Sequence, residues 1–384
     1  MISAFSFVDH LRGLGYSQYA GVPCSFLTSL INYVIDDPTV DYIGATSEGE
    51  AVGITFGAFL AGRKTVTMCQ NSGLGNMVNP LTSLNYPFRV PTLLIVTWRG
   101  QTEVKDEPQH EQMGRIMHRL LETLEIPWLP FPASEPEIAK TMAQAEESME
   151  QRKRPFALVV QKGSIAPHPL SGRLESELVK TDLRQNLLAN RNERPTRTAA
   201  IELILEALAG DEAIIATTGK TGRELFTIAD RANHLYVVGG MGTASAIGFG
   251  VANALPRRPV VIIDGDGAAL MKLGVLATIG FYQPSNLLHI ILDNEAHDST
   301  GGQQTASGVV RFAALAAAAN YHSAFAADRP EEIREAVRLL RHRPGPSLLH
   351  VLIQPGSPEN LGRPTVQPHE VKERFSEFLR SKAK

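Results

Sequence analysis

The chain has 384 residues, of which 43% are hydrophobic and 20% are charged, a composition typical of a globular protein with two domains of ordinary size. A formal net charge of -3 gives no reason to expect a nucleic-acid partner. Cys24 and Cys69 lie in separate segments, so neither a disulfide framework nor a cysteine metal site is predicted, and a reducing cytoplasm is expected.

No membrane segment is predicted. The first residues lack a basic region followed by an apolar core, so they do not resemble a signal peptide. The longest apolar stretches, such as 91–98 and 287–292, have the length of strands, whereas a helix needs about 20 residues to cross a bilayer. A soluble protein is therefore expected.

Short aliphatic runs alternate with helical patterns along the whole chain, which is typical of parallel sheets covered by helices on both faces. The predicted strands are 40–45, 65–69, 92–97 and 156–160 in the first half, and 213–217, 235–238, 260–263, 288–292 and 348–353 in the second half. The sequence therefore predicts an α/β protein with two doubly wound parallel-sheet domains.

The domains are predicted at 1–165 and 196–384, with no third domain between them. The intervening residues 166–195 contain several prolines and many charges but little strand pattern, which is typical of an interdomain linker. Within this linker, 178–188 would also suit a helix.

Glycine-rich or polar segments follow almost every predicted strand, at the end where open α/β sheets bind ligands. These segments are Glu48, 71–76 and 99–100 in the first half, and 218–222, 239–242, 264–267 and 293–294 in the second half. One such segment would mean little, but this number on one chain indicates a large phosphorylated ligand.

Asp266 and Asn294 are candidate metal ligands. Asp266 stands between two glycines after one predicted strand and before a helical segment, 268–281, while Asn294 ends the next strand. A carboxylate, an amide oxygen and a nearby main-chain carbonyl suit Mg2+, which takes its other ligands from water and phosphates. Either motif alone would be a tight turn or a helix cap, whereas the two together favour a metal.

The segment 239–248 opens a helix of small residues, whose N-terminus suits a phosphate. It also resembles a dinucleotide fingerprint, in which Asp264 would hold a ribose, but the Gly-Asp-Gly turn would then have no explanation. A nicotinamide-dependent oxidoreductase and a sensor of a phosphorylated metabolite therefore remain as alternatives.

Gly265-Asp266-Gly267 followed by Asp293-Asn294 resembles the Mg2+ and thiamine-diphosphate motif of thiamine-diphosphate enzymes, which usually ends in Asn-Asn. The chain departs from that motif at Asp293 and keeps Asn294. By this resemblance the metal ligands are the Asp266 carboxylate, the Asn294 amide oxygen and the main-chain carbonyl of Ala296. Thiamine diphosphate and Mg2+ are the expected cofactors.

A closer resemblance covers nearly the whole chain and is to the decarboxylases of phosphonopyruvate, with those of sulfopyruvate as near relatives. The matching segments are 21–27, 48–52, 70–76, 98–100, 106–110, 217–225 and 299–303. It implies a pyrimidine-binding domain at 1–165 and a diphosphate-binding domain at 196–384. Since sites in this superfamily lie between subunits, a homodimer or homotetramer is expected.

The resemblance also assigns roles to single residues. Glu48 would bond the pyrimidine ring and promote its imino tautomer, and Glu50 is the alternative. Glu48 has the superfamily's spacing of nine residues to Gly57. Without the resemblance, Glu48 would be a carboxylate favoured by the helix dipole. Met241 would prop the bent cofactor, although a methionine there is otherwise ordinary packing.

The remaining assignments concern the cofactor and the substrate. The residues expected at the cofactor are Glu48, Thr218, Gly219, Gly240, Met241, Gly242, Gly265, Asp266, Gly267, Ala268, Asn294, Ala296 and Ser299. The candidate catalytic residues are Glu48, Asn71 and His110. The candidate substrate-binding residues are Ser25, Asn71, Arg99, whose guanidinium suits oxyanions, and His110, in a charged loop over 101–115 that is long enough to act as a lid.

The resemblance implies a 2-keto acid substrate with a phosphonate or sulfonate group. With phosphonopyruvate, the reaction would release CO2 and phosphonoacetaldehyde. Sulfopyruvate or another 2-keto acid is the alternative, because phosphonate and sulfonate differ by charge and one proton. A single chain of this length favours phosphonopyruvate, since sulfopyruvate enzymes are often two separate chains.

Overall fold

The computed structural model describes residues 1–172, 174–185 and 187–381. The chain divides into two compact units, Met1–Glu175 and Ser176–Lys384. This division falls inside the stretch 166–195 that the sequence assigns to a linker. Among the described residues, no helix combines the length and the apolar character needed to cross a bilayer.

The first unit is a parallel sheet with helices on both faces. Its strands are β1 Tyr16–Gly21, β2 Asp41–Gly44, β3 Lys64–Gln70, β4 Leu93–Thr97, β5 Trp128–Pro130 and β6 Phe156–Val160. Its helices are α1 Ala4–Gly13, α2 Thr28–Asp36, α3 Glu48–Leu60, α4 Leu74–Pro80, α5 Tyr86–Phe88, α6 Glu111–Thr123 and α7 Glu135–Arg152. The six strands are parallel in the order β2-β1-β3-β4-β6-β5.

Strand β4 shows why the sheet strands are continuous apolar runs. Leu93 and Ile95 pack into a hydrophobic cluster that contains buried residues of α1, α2 and α7. Leu94 and Val96 point the other way, into a second cluster with residues of α3, α4 and α6. Successive side chains of a strand face opposite sides, so a strand covered on both faces needs apolar residues at every position.

The second unit repeats this architecture. Its strands are β7 Asp182–Gln185, β8 Ala213–Ala216, β9 His234–Tyr236, β10 Val260–Gly265, β11 Leu287–Asp293, β12 Ala296–His297, β13 Gln303–Gln304, β14 Ser323–Ala327 and β15 Ser347–Leu352. Its helices are α8 Arg197–Ala207, α9 Lys220–Ile228, α10 Ala244–Ala254, α11 Asp266–Met271, α12 Val275–Tyr282, α13 Phe312–Ala318, α14 Pro330–Leu340 and α15 Pro368–Arg380. Seven strands form a parallel sheet in the order β7-β14-β15-β11-β10-β8-β9, and β12 pairs with β13 in an antiparallel ribbon.

The predicted fold, two doubly wound parallel sheets, is confirmed, but two predicted helices are wrong in part. Residues 182–185 of the suggested helix over 178–188 form β7, which pairs with β14 at the edge of the sheet. The Arg184 guanidinium stacks on the Phe325 ring, 4.7 Å from its centroid, and stabilises this exposed strand. The helix predicted over 268–281 is two helices, α11 and α12, which are separated by a turn between Met271 and Val275.

His234 makes the stability of the second unit sensitive to pH. Burial in β9 lowers its pKa to about 4 from the ordinary 6.5. Between these values the unfolded chain binds a proton that the folded chain does not, so acidification should lower the free energy of unfolding, by up to about 3 kcal/mol. His234→Asn should flatten this dependence in urea unfolding at pH 7 and pH 4.5. An equally steep dependence in the variant would rule His234 out as its source.

Candidate active site

Glu48 is the first residue of α3, four positions after β2 ends. Its carboxylate accepts a hydrogen bond from Asn76 Nδ2 at 2.7 Å and stays partly exposed. Glu50, the alternative, is 1% exposed, and its carboxylate accepts a hydrogen bond from the Thr46 hydroxyl. Of the two carboxylates, the one on Glu48 is accessible to a ligand.

The Glu48 side chain lies directly against Gly73. A Cβ added at Gly73 would come within 2.4 Å of Glu48 Oε1, and the same atom at Gly75, in the following helix α4, would meet nothing within 4 Å. We therefore expect Gly73→Ala to displace the carboxylate and lower the rate of turnover by at least about 10-fold, a size typical of misplaced catalytic groups. Gly75→Ala is the matched control and should keep wild-type turnover. Equal rates in the two variants would contradict a catalytic placement of Glu48.

Arg99 follows β4, but its guanidinium is already engaged. Nε donates to Asp106 Oδ2 at 2.7 Å, Nη2 donates to the other oxygen of the same carboxylate, and Nη1 donates to Ser25 Oγ at 2.9 Å. The hydrogen bonds from Arg99 hold the pKa of Asp106 well below its usual range. The forked face of Arg99 that would suit an oxyanion is thus occupied by Asp106, and the structure brings Ser25 and Arg99 together.

Asn71 directly follows β3 and is fully buried. Its Nδ2 donates to the main-chain oxygen of Arg99 at 2.7 Å, while its Oδ1 has no hydrogen-bond partner among the described residues. A buried acceptor without a partner costs free energy, on the order of 1–3 kcal/mol. Asn71 Oδ1 therefore offers a binding point for a ligand that carries a donor.

His110 is also buried, at the start of α6. Its Nδ1 lies 3.4 Å from Gln70 Nε2, and since a glutamine amide nitrogen only donates, this contact leaves the proton of a neutral imidazole on Nε2. Gln70 belongs to a matching segment but was not among the predicted site residues. The charged loop predicted over 101–115 is shorter than expected, because a 3-10 turn at Pro108–His110 and then α6 occupy its second part.

Asp266 and Asn294 lie at one edge of the second sheet, namely the edge that the carboxyl ends of its strands form. β10 and β11 are parallel neighbours with Gly265 opposite Leu292, so the residues that follow the two strands emerge side by side. Both are buried, and Asp266 Oδ2 accepts a hydrogen bond from Thr305 Oγ1 at 2.5 Å. Burial raises the pKa of Asp266, although the Thr305 hydroxyl acts in the opposite direction.

Asp293, which replaces the usual asparagine of the motif, has its own partners. Its carboxylate lies 2.8 Å from His350 Nε2 and accepts a hydrogen bond from Ser307 Oγ at 2.7 Å. Burial alone would raise the pKa of Asp293. The hydrogen bond and the electrostatic attraction between His350 and this carboxylate outweigh burial, so the net effect is a lowered pKa. The hydroxyls of Ser307 and Thr305, 2.8 Å apart, connect Asp293 to Asp266.

The turn after Asn294 brings Ala296 back toward the same edge. Glu295 has φ 60, a left-handed value that is unusual outside glycine, and Arg191 and Arg194 hold its carboxylate at 3.2 and 3.4 Å. Asn294 Oδ1 accepts a hydrogen bond from the main-chain nitrogen of Ala296 at 3.3 Å. No cluster of three His, Cys, Asp or Glu suited to a metal occurs within the described residues, so a metal at this turn would need amide and main-chain oxygens. The oxygens of Asp266, Asn294 and Ala296 are of the type that Mg2+ prefers.

The other predicted cofactor residues lie next to this edge of the sheet, in turns that contain glycine. Gly219 after β8 has φ 93, and its added Cβ would lie 3.8 Å from Ser299 Oγ, so Thr218-Gly219 and Ser299 are neighbours. Gly242 has φ 79, and its Cβ would lie 2.9 Å from the main-chain oxygen of Ala268. Met241, between Gly240 and Gly242, is 46% exposed. A side chain at Gly242 would push the two turns apart, so the bare backbone is required for their close approach.

Comparison with known proteins shows the family to which the chain belongs. Family models for the thiamine pyrophosphate enzyme match the chain twice, the N-terminal TPP binding domain over residues 3–118 and the C-terminal TPP binding domain over residues 218–351. A phosphonopyruvate decarboxylase of Streptomyces viridochromogenes is 45% identical over 99% of this chain and 95% of its own length. The chain belongs to the phosphonopyruvate decarboxylase family of thiamine-diphosphate enzymes. The resemblance noted in the sequence is confirmed.

Two further relatives are also similar to this chain over nearly its whole length. A phosphonopyruvate decarboxylase of Streptomyces hygroscopicus is 45% identical over 98% of this chain and 94% of its own length. A sulfopyruvate decarboxylase of Methanosarcina acetivorans is 30% identical over 97% of this chain and 96% of its own length.

Solved structures show the same fold at low identity. The benzoylformate decarboxylase of Polynucleobacter necessarius gives a TM-score of 0.69 at 13% identity, over 92% of this chain and 99% of the other. A 4-hydroxybenzoylformate decarboxylase of Rhodococcus jostii RHA1 gives 0.70 at 13% identity, over 92% and 99%. The fold is therefore that of thiamine-diphosphate enzymes.

Proposed function

We propose that this decarboxylase converts phosphonopyruvate to phosphonoacetaldehyde and CO2 with thiamine diphosphate and Mg2+. The 45% identity over almost the full length to a phosphonopyruvate decarboxylase carries this proposal. In the reaction the bond between the carboxylate and the keto carbon breaks, CO2 leaves, and a proton takes its place on that carbon. Thiamine diphosphate, when bound, supplies the electron sink for the pair of electrons that CO2 leaves behind.

The second unit would hold the metal and the diphosphate. Asp266, Asn294 and the main-chain oxygen of Ala296 would hold Mg2+, since they supply hard oxygens at one sheet edge. Turns with exposed main-chain N–H groups suit a diphosphate. The residues proposed for this contact are Thr218, Gly219, Gly240, Gly242, Gly265, Gly267, Ala268 and Ser299.

The first unit would activate the cofactor and hold the substrate. Glu48 would accept or donate a proton at the pyrimidine ring, a role that its partly exposed carboxylate permits. Asn71 Oδ1, an acceptor without a partner among the described residues, would bind a protonated oxygen of the substrate phosphonate, and His110 would offer the proton on Nε2. Ser25 and Arg99 would bind the anionic end of the substrate. For this, the Arg99 guanidinium would have to release the Asp106 carboxylate and bind the substrate anion in its place. Met241, in the second unit, would support the cofactor ring.

We also propose that the protein works as a homodimer or a homotetramer, as the resemblance implies. The small molecule that it binds as substrate would be a 2-keto acid with a phosphonate group.

Steady-state decarboxylation tests the substrate assignment. With thiamine diphosphate and Mg2+ present, we expect kcat/KM for phosphonopyruvate to exceed that for sulfopyruvate by at least about 10-fold, a difference of about 1.4 kcal/mol in transition-state binding. The relative from Methanosarcina acetivorans, at 30% identity, makes sulfopyruvate the informative competitor. A preference for sulfopyruvate would transfer the assignment to that acid.

A further inference from the structure

A buried ionic network lies beside Asn294 and was not singled out from the sequence. It consists of Arg197 at the start of α8, Glu224 in α9 and Asp298 in the turn between β12 and β13. Their side chains are only 6%, 1% and 9% exposed. Buried charges of this kind persist when each is paired and hydrogen-bonded.

Asp298 Oδ2 is the centre of the network. It accepts hydrogen bonds from Asn294 Nδ2 at 2.6 Å, from Arg197 Nη2 at 2.6 Å and from the main-chain nitrogen of Gly356 at 3.1 Å. Three separate segments therefore fix the position of this one oxygen. Arg197 is the cation that pairs with this carboxylate, and Glu224 shares the same guanidinium.

Glu224 holds Arg197 from the other side. Glu224 Oε1 accepts a hydrogen bond from Arg197 Nη1 at 2.9 Å, and its Oε2 accepts one from Thr198 Oγ1 at 2.8 Å. Arg197 Nη1 also donates to the main-chain oxygen of Gly356 at 3.2 Å. The guanidinium of Arg197 is thus fixed, because any movement away from Asp298 or from Glu224 would break a buried ion pair.

The network and the main-chain N–H of Ala296, which donates to Asn294 Oδ1, together determine which way the Asn294 amide faces. An ionised carboxylate only accepts hydrogen bonds, so the amide must turn its NH2 group toward Asp298. The Oδ1 atom then lies on the opposite side of the amide carbon. A reversed amide would place Oδ1 against the carboxylate and leave Nδ2 where the Mg2+ ligand is expected.

We propose that Asp298 is a positioning residue for the metal site: it orients Asn294 so that the amide oxygen faces Mg2+, and Arg197 and Glu224 keep Asp298 in place. This inference rests on the proposed function, since it concerns the same Mg2+. It extends the site to residues that never touch the metal. Groups that orient metal ligands in this way typically alter metal affinity about 10–100-fold when replaced.

The test is the dissociation constant for Mg2+, measured by calorimetry at saturating thiamine diphosphate. Asp298→Asn keeps the shape of the side chain but lets either face of the Asn294 amide pack against it. We expect Mg2+ to bind about 10–100-fold more weakly than to the wild type. Glu224→Gln should weaken Mg2+ binding less, because it loosens Arg197 and leaves Asp298 in place.

Two controls separate positioning from a loss of stability or charge. Ile333→Val removes one methylene from a fully buried side chain of α14, which typically lowers stability by about 0.5–1.5 kcal/mol, and should leave Mg2+ affinity unchanged. Glu202→Gln removes a carboxylate from an exposed position of α8 and should also bind Mg2+ like the wild type. Melting temperatures without cofactor show how far each variant is destabilised.

Wild-type Mg2+ affinity in folded Asp298→Asn would overturn the inference. If Asp298→Asn does not fold, Glu224→Gln decides, and unchanged affinity there overturns it equally. A loss of affinity in Ile333→Val as large as in Asp298→Asn would also overturn it, because stability alone would then explain the effect. Failure of the wild type to bind Mg2+ with thiamine diphosphate would instead remove the proposed function.

Discussion

Glu48→Gln is expected to lower the rate of decarboxylation by at least about 100-fold, the usual contribution of a general acid–base group. The glutamine keeps the size of the side chain and its contact with Asn76, but it cannot take up or release a proton at the pyrimidine ring. Thiamine diphosphate and Mg2+ should therefore still raise the melting temperature of the variant. CO2 release and thermal unfolding, measured on the same preparation, test both expectations.

Glu50→Gln is the matched control for this variant. Glu50 is buried and bonded to Thr46, so its replacement should affect stability and leave most of the turnover. Full activity of Glu48→Gln together with an inactive, folded Glu50→Gln would transfer the activating role to Glu50. Full activity of both would remove a glutamate of α3 from the mechanism.

Asp266→Asn should abolish the Mg2+-dependent binding of thiamine diphosphate and lower turnover by at least about 100-fold. Asp266 provides the one negative charge among the three proposed metal ligands. Because burial raises the pKa of this carboxylate, its charge is unfavourable in the protein without metal. The asparagine variant should therefore be at least as stable as the wild type without cofactor, yet gain no stability from thiamine diphosphate and Mg2+.

Asp211→Asn is the control for Asp266→Asn, since Asp211 precedes β8 at the opposite end of the sheet. Thermal unfolding with and without thiamine diphosphate and Mg2+ makes the comparison. A cofactor-induced rise in melting temperature that is as large in Asp266→Asn as in Asp211→Asn would exclude Asp266 as a metal ligand.

The sequence predicts most strands of the two sheets, and three of the strands it misses, β1, β7 and β14, share a physical cause. β1 lies next to β3 inside the first sheet, but its residues, YSQYAG, contain neither a β-branched side chain nor a continuous apolar run. β14 is SAFAA, where small alanines allow α13 and α14 to pack close, and alanine itself favours helices. At β7 main-chain pairing with β14 decides the structure of a mostly exposed strand. Tertiary contacts outweigh local propensity at all three strands.

The candidate site is predictable where a motif is local. Asp266 and Asn294 each directly follow a strand, and the pairing of β10 with β11 follows from the order of elements, so their shared edge is expected from the sequence. The partners of the site residues are not. Asp298 meets Arg197 although the two are far apart in the chain, and no periodic pattern connects them. Likewise, nothing local shows that Asp106 occupies the guanidinium of Arg99.

The most direct test of the proposed activity is CO2 release from phosphonopyruvate by protein first stripped of metal and cofactor. We predict no turnover from the stripped protein, none with thiamine diphosphate or Mg2+ alone beyond trace contamination, and full turnover with both, together with one phosphonoacetaldehyde for each CO2. Absence of turnover with both present, or equal turnover in their absence, would contradict the proposal.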